Sequence, residues 1–429
     1  MTDRSIAPAI SIPQHLSFPE PQEYTFANGL QLSAIHSGNA NVVRLSLVCN
    51  AGTCYQQQAF IASATLNMLR EGTKKYSSAQ LAEQLDFYGS TLDVSIDRDF
   101  SYITVYALEK YFGETLEIFE QLVKYPTFPQ SELDIYIQKN KERLVFERQR
   151  IDKQAGEIMA TALYGTGHPY GAFGSPDDYK KLDISQLKNF HQHYYSPQNM
   201  FAVLSGNITN SILQQVEHVF GNSSWGSGST PISNAKDSKV ETATDKLILK
   251  EKKDSLQSAI RMGKVLFNRN HPDYNGLTIV NTVLGGYFGS RLMKNIREEK
   301  GYTYGIYSIL VGMKDSGYLT IATQTGSEYT RACIDEVKKE LLLLQNKPIS
   351  TEELTLVKNY VIGDMLRSLD GPWMLADVLI DLKQSNLPYT QVNEFFNEVK
   401  EVTPDRLQSL AQSYLSPDDF VEVVVGQLT

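Results

Sequence analysis

The stretch LKNFHQHYYSPQNMFAVLSGN, residues 187–207, returns near the end of the chain as LQSLAQSYLSPDDFVEVVVGQ, residues 407–427. Leu187, Tyr194, Ser196, Pro197, Val203 and Gly206 fall on Leu407, Tyr414, Ser416, Pro417, Val423 and Gly426, always 220 positions on. Two shorter pairs obey nearly the same spacing. Asp99, Tyr102 and Thr104 match Asp315, Tyr318 and Thr320, and Glu132-Leu133 matches Glu353-Leu354. Matches in the same order at a near-constant offset mark an internal duplication. Between the copies lies GNSSWGSGSTPISNAKDSKVETATD, residues 221–245. It is rich in Gly, Ser and Thr, has no apolar period, and reads as a flexible linker. The chain thus divides into an N-terminal arm (1–22), a first half (23–220), the linker (221–245) and a second half (246–429).

Within the first copy, NVVRLSLVCNAG alternates, with Val43, Leu45, Leu47 and Cys49 on one strand face. TLDVSIDRDFSYITVYAL is two alternating runs around Asp97-Arg98-Asp99, which predicts a hairpin. Helical patterns follow at 113–124, 131–160 and 185–195, and SPDDYKKLDISQLKNF carries capping signals. Strand pairs followed by helices, without regular alternation, predict an α+β fold. Each half is expected to be a largely antiparallel sheet with helices packed on it.

The bulk numbers narrow the function. A chain of 429 residues is long for one core. Its net charge of −9 argues against a nucleic-acid partner, whose phosphates need a basic face. No apolar run is long enough for a membrane span, and the first residues lack a signal-peptide pattern. The three cysteines, Cys49, Cys54 and Cys333, form no disulfide framework and no C-x-x-C, which points to a reducing, cytoplasmic setting.

The stretches FANGLQLSAIHSG, VVRLSLVCNAGTCYQ and, above all, LGGYFGSRLMKNIREEKGYTYG resemble the pitrilysin and mitochondrial-processing-peptidase family of inverted-motif zinc peptidases. The resemblance runs from about residue 23 to the end. Active members hold zinc with H-x-x-E-H on a first-half helix. Two imidazoles one turn apart bind the metal, and the glutamate between them serves as general base. That motif runs into Met-Leu and then Gly-Thr. Here IASATLNMLREGT, residues 61–73, fixes the register through Met68-Leu69 and Gly72-Thr73. The two histidine positions then fall on Ser63 and Asn67, and the catalytic glutamate falls on Leu66. The distal glutamate pattern appears as ERLVFERQ, in which Glu142 matches the upstream acid and the ligand position is Gln149. A slip of two would bring in Glu147, but one carboxylate does not hold zinc alone. Neutral Ser and Asn oxygens are poor zinc partners, so no metal is expected in this chain.

Of seven histidines, only His191 and His193 are close. Two apart on a helix, they do not share a face, so one packs and one is exposed. His168 and His271 precede prolines and read as loop residues.

The second half keeps more. In the resembling family, an arginine and a tyrosine at the spacing of Arg297 and Tyr304 reach toward the zinc site and contact substrate backbone. From residue type alone, Arg297 is a solvated helix end and Tyr304 a strand residue. The Gly285-Gly286 pair reads as a helix cap and turn that exploits positive φ. The resemblance therefore implies a non-catalytic subunit of a heterodimeric zinc metallopeptidase, with a zinc-binding family member as partner and unfolded peptide as substrate. A structural scaffold and a stand-alone peptide-binding pseudoenzyme are the alternatives, and a homodimer of the isolated chain stays open.

Overall fold

The alternating run at 43–49 is a strand, and Val43, Leu45, Leu47 and Cys49 are all buried on its helix-covered face. The structure, a computed structural model, describes residues 13–38, 41–227 and 235–428. The first half contributes β1 (Gln22–Thr25), β2 (Gln31–His36), β3 (Val42–Cys49), β4 (Thr91–Ile96), β5 (Ser101–Leu108) and β6 (Met200–Gly206). They form one sheet in the order β1-β2-β6-β3-β5-β4. The second half contributes β7 (Leu247–Glu251), β8 (Gln257–Leu266), β9 (Thr303–Gly312), β10 (Gly317–Gly326) and β11 (Val421–Gly426), in the order β7-β11-β8-β10-β9. In each sheet one pair is parallel, β2 with β6 and β7 with β11, and the rest are antiparallel. The order β2-β6-β3-β5-β4 thus repeats as β7-β11-β8-β10-β9, strand for strand, and the duplication extends to topology. The predicted hairpin is β4–β5.

The first half also carries α1 (Ile61–Met68), α2 (Ser78–Phe87), α3 (Phe112–Lys124), α4 (Gln130–Glu147), α5 (Ile151–Tyr164), α6 (Ile184–Tyr194) and α7 (Asn210–Val216). The second carries α8 (Tyr274–Asn281), α9 (Thr330–Asn346), α10 (Thr351–Ser368), α11 (Pro372–Gln384), α12 (Gln391–Glu401) and α13 (Pro404–Tyr414). Capping boxes at Ser77 and Asp183 start α2 and α6. The pattern expected as one helix over 131–160 is two, α4 and α5. The break at 148–150 is held by Arg148, whose guanidinium donates to Glu157 and to the Gly174 carbonyl, while the Gln154 amide donates to the Arg148 carbonyl.

Two helices, one from each half, change sides. α5 lies on β8 and β11 of the second sheet, and α11 lies on β6 and β2 of the first. Leu375, Leu379 and Ile380 of α11 pack with Ile35, Val48 and Val203. Alternation therefore does not mean that one sheet face is wet. Arg44, Ser46 and Val48 of β3 are as buried as their apolar neighbours. Arg44 ion-pairs with Asp377 at 2.7 Å and donates to the Trp373 carbonyl at 3.1 Å. At the corresponding place on β8, Arg261 donates to the Asp152 carbonyl at 3.4 Å. Trp373 and Asp152 are each the second residue of the exchanged helix. Each sheet thus grips the first turn of a helix lent by the other half.

Two connecting segments are more engaged than composition implies. Residues 13–21 of the expected arm reach the second half, where Leu16 is buried and its N–H donates to Asn393 Oδ1 at 3.3 Å. In the expected linker, residues 228–234 lie outside the described residues. Beyond them, the N–H groups of Glu241 and Ala243 donate to the carbonyls of Tyr164 and Ala162. The reason is that the last carbonyls of α5 have no partner within their own helix.

Candidate functional site

At α1 the three residues that the resemblance aligns with a metal site are part of the fold. Leu66 is 1% exposed and belongs to the first half's core. Ser63 Oγ donates to the Phe60 carbonyl at 3.1 Å, and the Asn67 amide donates to the Ser63 carbonyl at 2.8 Å. Tyr136 of α4 stands opposite. Burial pushes the pKa of its phenol up to about 12, against a smaller lowering from the nearby Ser63 hydroxyl. The start of α1 is set by Phe60, whose φ of 71° lies in the left-handed region and whose ring stacks on Tyr179 at 4.0 Å. A non-glycine residue there costs on the order of 1 kcal/mol, which the stacking offsets.

Gln149 is not brought to this place. It sits in the exposed turn after α4, and Lys252 donates to its carbonyl. The residue set against Ser63 is Tyr136, roughly three and a half turns, or about 20 Å along the axis, before Gln149. The register that assigned the distal position to Gln149 therefore has no geometric counterpart, and Glu147 at the end of α4 is nearly as far. An apolar Leu66, a self-bonded Ser63–Asn67 pair and a phenol do not fit a zinc ion. Among the described residues no group of three or more His, Cys, Asp or Glu could hold a metal.

The second half is arranged differently. Gly285 and Gly286 close a wide, π-type helical turn, Thr282–Gly286, and neither has positive φ. Close approach explains Gly285 better, since a Cβ there would lie 2.7 Å from the backbone N of Ser308 on β9. A second π-type turn, Met293–Glu299, carries Arg297; such turns recur at functional sites. Tyr304, in the first turnward residues of the edge strand β9, is 92% exposed. The two are brought together: the Arg297 guanidinium lies 5.4 Å from the Tyr304 ring centroid. It also lies 4.5 Å from the ring of Phe288. Among the described residues Arg297 has no ion pair.

Beside Tyr304 opens a cleft of about 510 Å³, lined by Tyr307, Arg261, Asp152 and Gln324 among others. A second hollow of about 740 Å³ shares Asp152, Arg261 and Tyr307 and continues past Arg143, Lys153 and Tyr179. A concave path therefore joins Tyr304 to the outer side of α4. Burial lowers the pKa of Arg261 from its usual value. Burial raises that of Asp152, but bonding and charge from Arg150 outweigh it, so its carboxyl sits below the ordinary range. Sequence reading missed Phe288, Arg261, Asp152 and Tyr136. Only the aromatic pair Tyr287-Phe288 next to two glycines offered a signal. His191 stacks on Tyr195 and shares a hydrogen bond with the Val123 carbonyl, and desolvation lowers its pKa to about 4. His193 is exposed, with Nδ1 on the Asn189 carbonyl.

The sequence pattern described as "Insulinase (Peptidase family M16)" matches residues 33–171, and that described as "Peptidase M16 inactive domain" matches residues 181–361. The chain belongs to the M16 peptidase family. Its M16 fold is also that of a Pseudomonas fluorescens crystal structure titled as a peptidase M16 inactive domain. The two share a TM-score of 0.87 and 24% identity over 96% of this chain and 99% of that one. The Bacillus subtilis "Uncharacterized zinc protease YmxG" is 24% identical over 92% of this chain and 96% of its own length. The Helicobacter pylori "Non-peptidase homolog YmxG" is 25% identical over 86% and 85%. A plant relative, the Solanum tuberosum mitochondrial-processing peptidase subunit alpha, is 22% identical over 48% of this chain and 41% of its own. With its ligand positions filled as described, this chain is a non-catalytic M16 member. No helix among the described residues is long and apolar enough to cross a membrane.

Proposed function

We propose that this M16 chain is the substrate-positioning subunit of a heterodimeric zinc metallopeptidase that acts on unfolded peptides or small proteins. The observation that carries this reading is the Arg297–Tyr304 pair, a half-buried guanidinium beside an exposed phenol with no ion pair to either among the described residues, in a chain whose Leu66 is sealed in the core. A guanidinium and a phenol donate hydrogen bonds to a peptide carbonyl, and more strongly as charge develops on its oxygen. The partner would be a family member that carries H-x-x-E-H and supplies zinc and base. A relative named as a processing-peptidase subunit is in keeping with a two-chain enzyme. The three cysteines are buried and form no disulfide among the described residues, which suits a reducing, cytoplasmic setting.

The test is to co-express the chain with an H-x-x-E-H partner and follow cleavage of a quenched peptide. Arg297→Ala should lower kcat/KM at least about tenfold, which is about 1.4 kcal/mol of transition-state stabilisation. Full activity of that variant overturns the role. A second reading, a scaffold or peptide-binding pseudoenzyme without turnover, is favoured by the relative named a non-peptidase homolog. Peptide binding without cleavage in every mixture would select it.

A further inference from the structure

Phe288 is 64% exposed, and its neighbours explain why. Tyr287 turns inward, its ring 4.7 Å from that of Tyr360 on α10. A Cβ at Gly289 would lie 2.7 Å from the Tyr287 ring, so a larger residue there would push that ring from its place. With Tyr287 turned in, Phe288 is left in solvent, where a large apolar ring gains nothing from burial. What it meets is the Arg297 guanidinium, at 4.5 Å from the ring centroid.

The charges around Arg297 leave it uncommitted. The residues three before and three after it are Lys294 and Lys300, so helical spacing offers no acid there. The adjacent Glu298 and Glu299 are exposed and make no ion pair with it among the described residues, while Glu336 is held by Lys300 and Lys339 and Glu353 by Arg291. Two aromatic rings, Phe288 and Tyr304, are what orders this side chain.

We infer that Phe288 is a positioning residue. Its ring holds the Arg297 guanidinium in one orientation, with the N–H edge free for a backbone carbonyl of an extended peptide at the cleft beside Tyr304. Ordering the side chain beforehand removes part of the rotamer entropy that binding would otherwise cost. This inference rests on the subunit reading for its consequence in catalysis, but the stacking itself is testable on the isolated chain.

The first measurement is labelling of Arg297 by phenylglyoxal in the isolated chain, followed by peptide mass spectrometry. Phe288→Ala should raise the labelling rate about threefold, and Phe288→Trp should restore the slow rate, because a larger ring keeps the cation–π contact. Equal rates in all three proteins overturn the inference. The second measurement is peptide cleavage by the chain mixed with its H-x-x-E-H partner. Phe288→Ala should lower kcat/KM about fivefold, Phe288→Trp should recover it, and the double variant with Arg297→Ala should be no worse than Arg297→Ala alone. Losses that multiply show that the ring acts independently of Arg297 and overturn positioning. Gel filtration of the mixture should show unchanged assembly for Phe288→Ala; loss of assembly makes the ring a subunit contact and overturns the inference. If Arg297→Ala leaves cleavage untouched while Phe288 still governs labelling, the subunit reading falls and the stacking stands.

Discussion

In the first half, Ser63 and Asn67 bond back onto their own helix, Leu66 is sealed in the core, and Tyr136 closes the space beside them. In the second half, Tyr304 stands in solvent at the edge of a cleft, Arg297 is half-buried beside it, and the Arg297 guanidinium meets the rings of Tyr304 and Phe288. The first set of positions contributes to folding and has nothing left to offer a ligand. The second contributes little to folding and has its hydrogen-bond donors free. A side chain that stabilises the fold through its polar atoms cannot also present them to substrate, so this contrast separates a retired site from an available one.

Four measurements would break or sharpen that contrast. The largest effect belongs to α1. Leu66→Glu places a carboxylate in a dry core and should cost more than about 4 kcal/mol in denaturant unfolding, with Leu66→Ala near 3 kcal/mol. A harmless Leu66→Glu, with zinc bound stoichiometrically once Ser63 and Asn67 are also made histidine, would show the site to be open. The next concerns His191, whose counterpart 220 positions on is Ala411. Its folded pKa of about 4 lies below the unfolded 6.5. Its contribution is therefore present above pH 6.5 and is lost as pH falls toward 4, by at most about 3 kcal/mol, less what partial solvent contact screens. His191→Gln should flatten stability over that window, and an unchanged slope would contradict the buried neutral ring.

A smaller effect tests the exchanged helices. Arg44→Met removes an ion pair and a backbone bond to α11 and should cost about 2 kcal/mol; Arg261→Met removes bonds to carbonyls only and should cost about 1 kcal/mol. Equal costs would mean that Asp377, half exposed, adds nothing. The smallest effect is expected at the available site. Tyr304→Phe and Arg297→Ala should each shift stability by less than about 0.5 kcal/mol. A large loss at either would give the pair a structural role and erase the contrast.

The duplication was legible because both copies keep the same residue types at the same turns, and Tyr194, Ser196 and Pro197 needed no coordinates to be matched with Tyr414, Ser416 and Pro417. The β4–β5 hairpin followed from alternation around a polar turn. The helix expected over 131–160 was misread because its two parts share one apolar pattern, and the break is held by Arg148, bonded to the Glu157 carboxylate and the Gly174 carbonyl, and by the Gln154 amide. That Gln149 lies away from α1 was not legible for a related reason. Counting residues along α4 says which face a position is on, but not which turn of α4 crosses α1. The glycine pair was assigned to backbone freedom, whereas Gly285 answers to the approach of a strand that starts at Thr303.

The amino-acid sequence determined that the chain is two copies of an α+β unit, a local fact fixed by residue identity and spacing, and through the family resemblance it aligned Ser63, Leu66 and Asn67 with the metal-site positions. The tertiary structure decided that Tyr136 stands beside Ser63, that α5 and α11 cross to the opposite sheets, and that Phe288 and Tyr304 both meet Arg297. Those depend on where separate elements pack, and packing is set by the whole core rather than by any stretch within it.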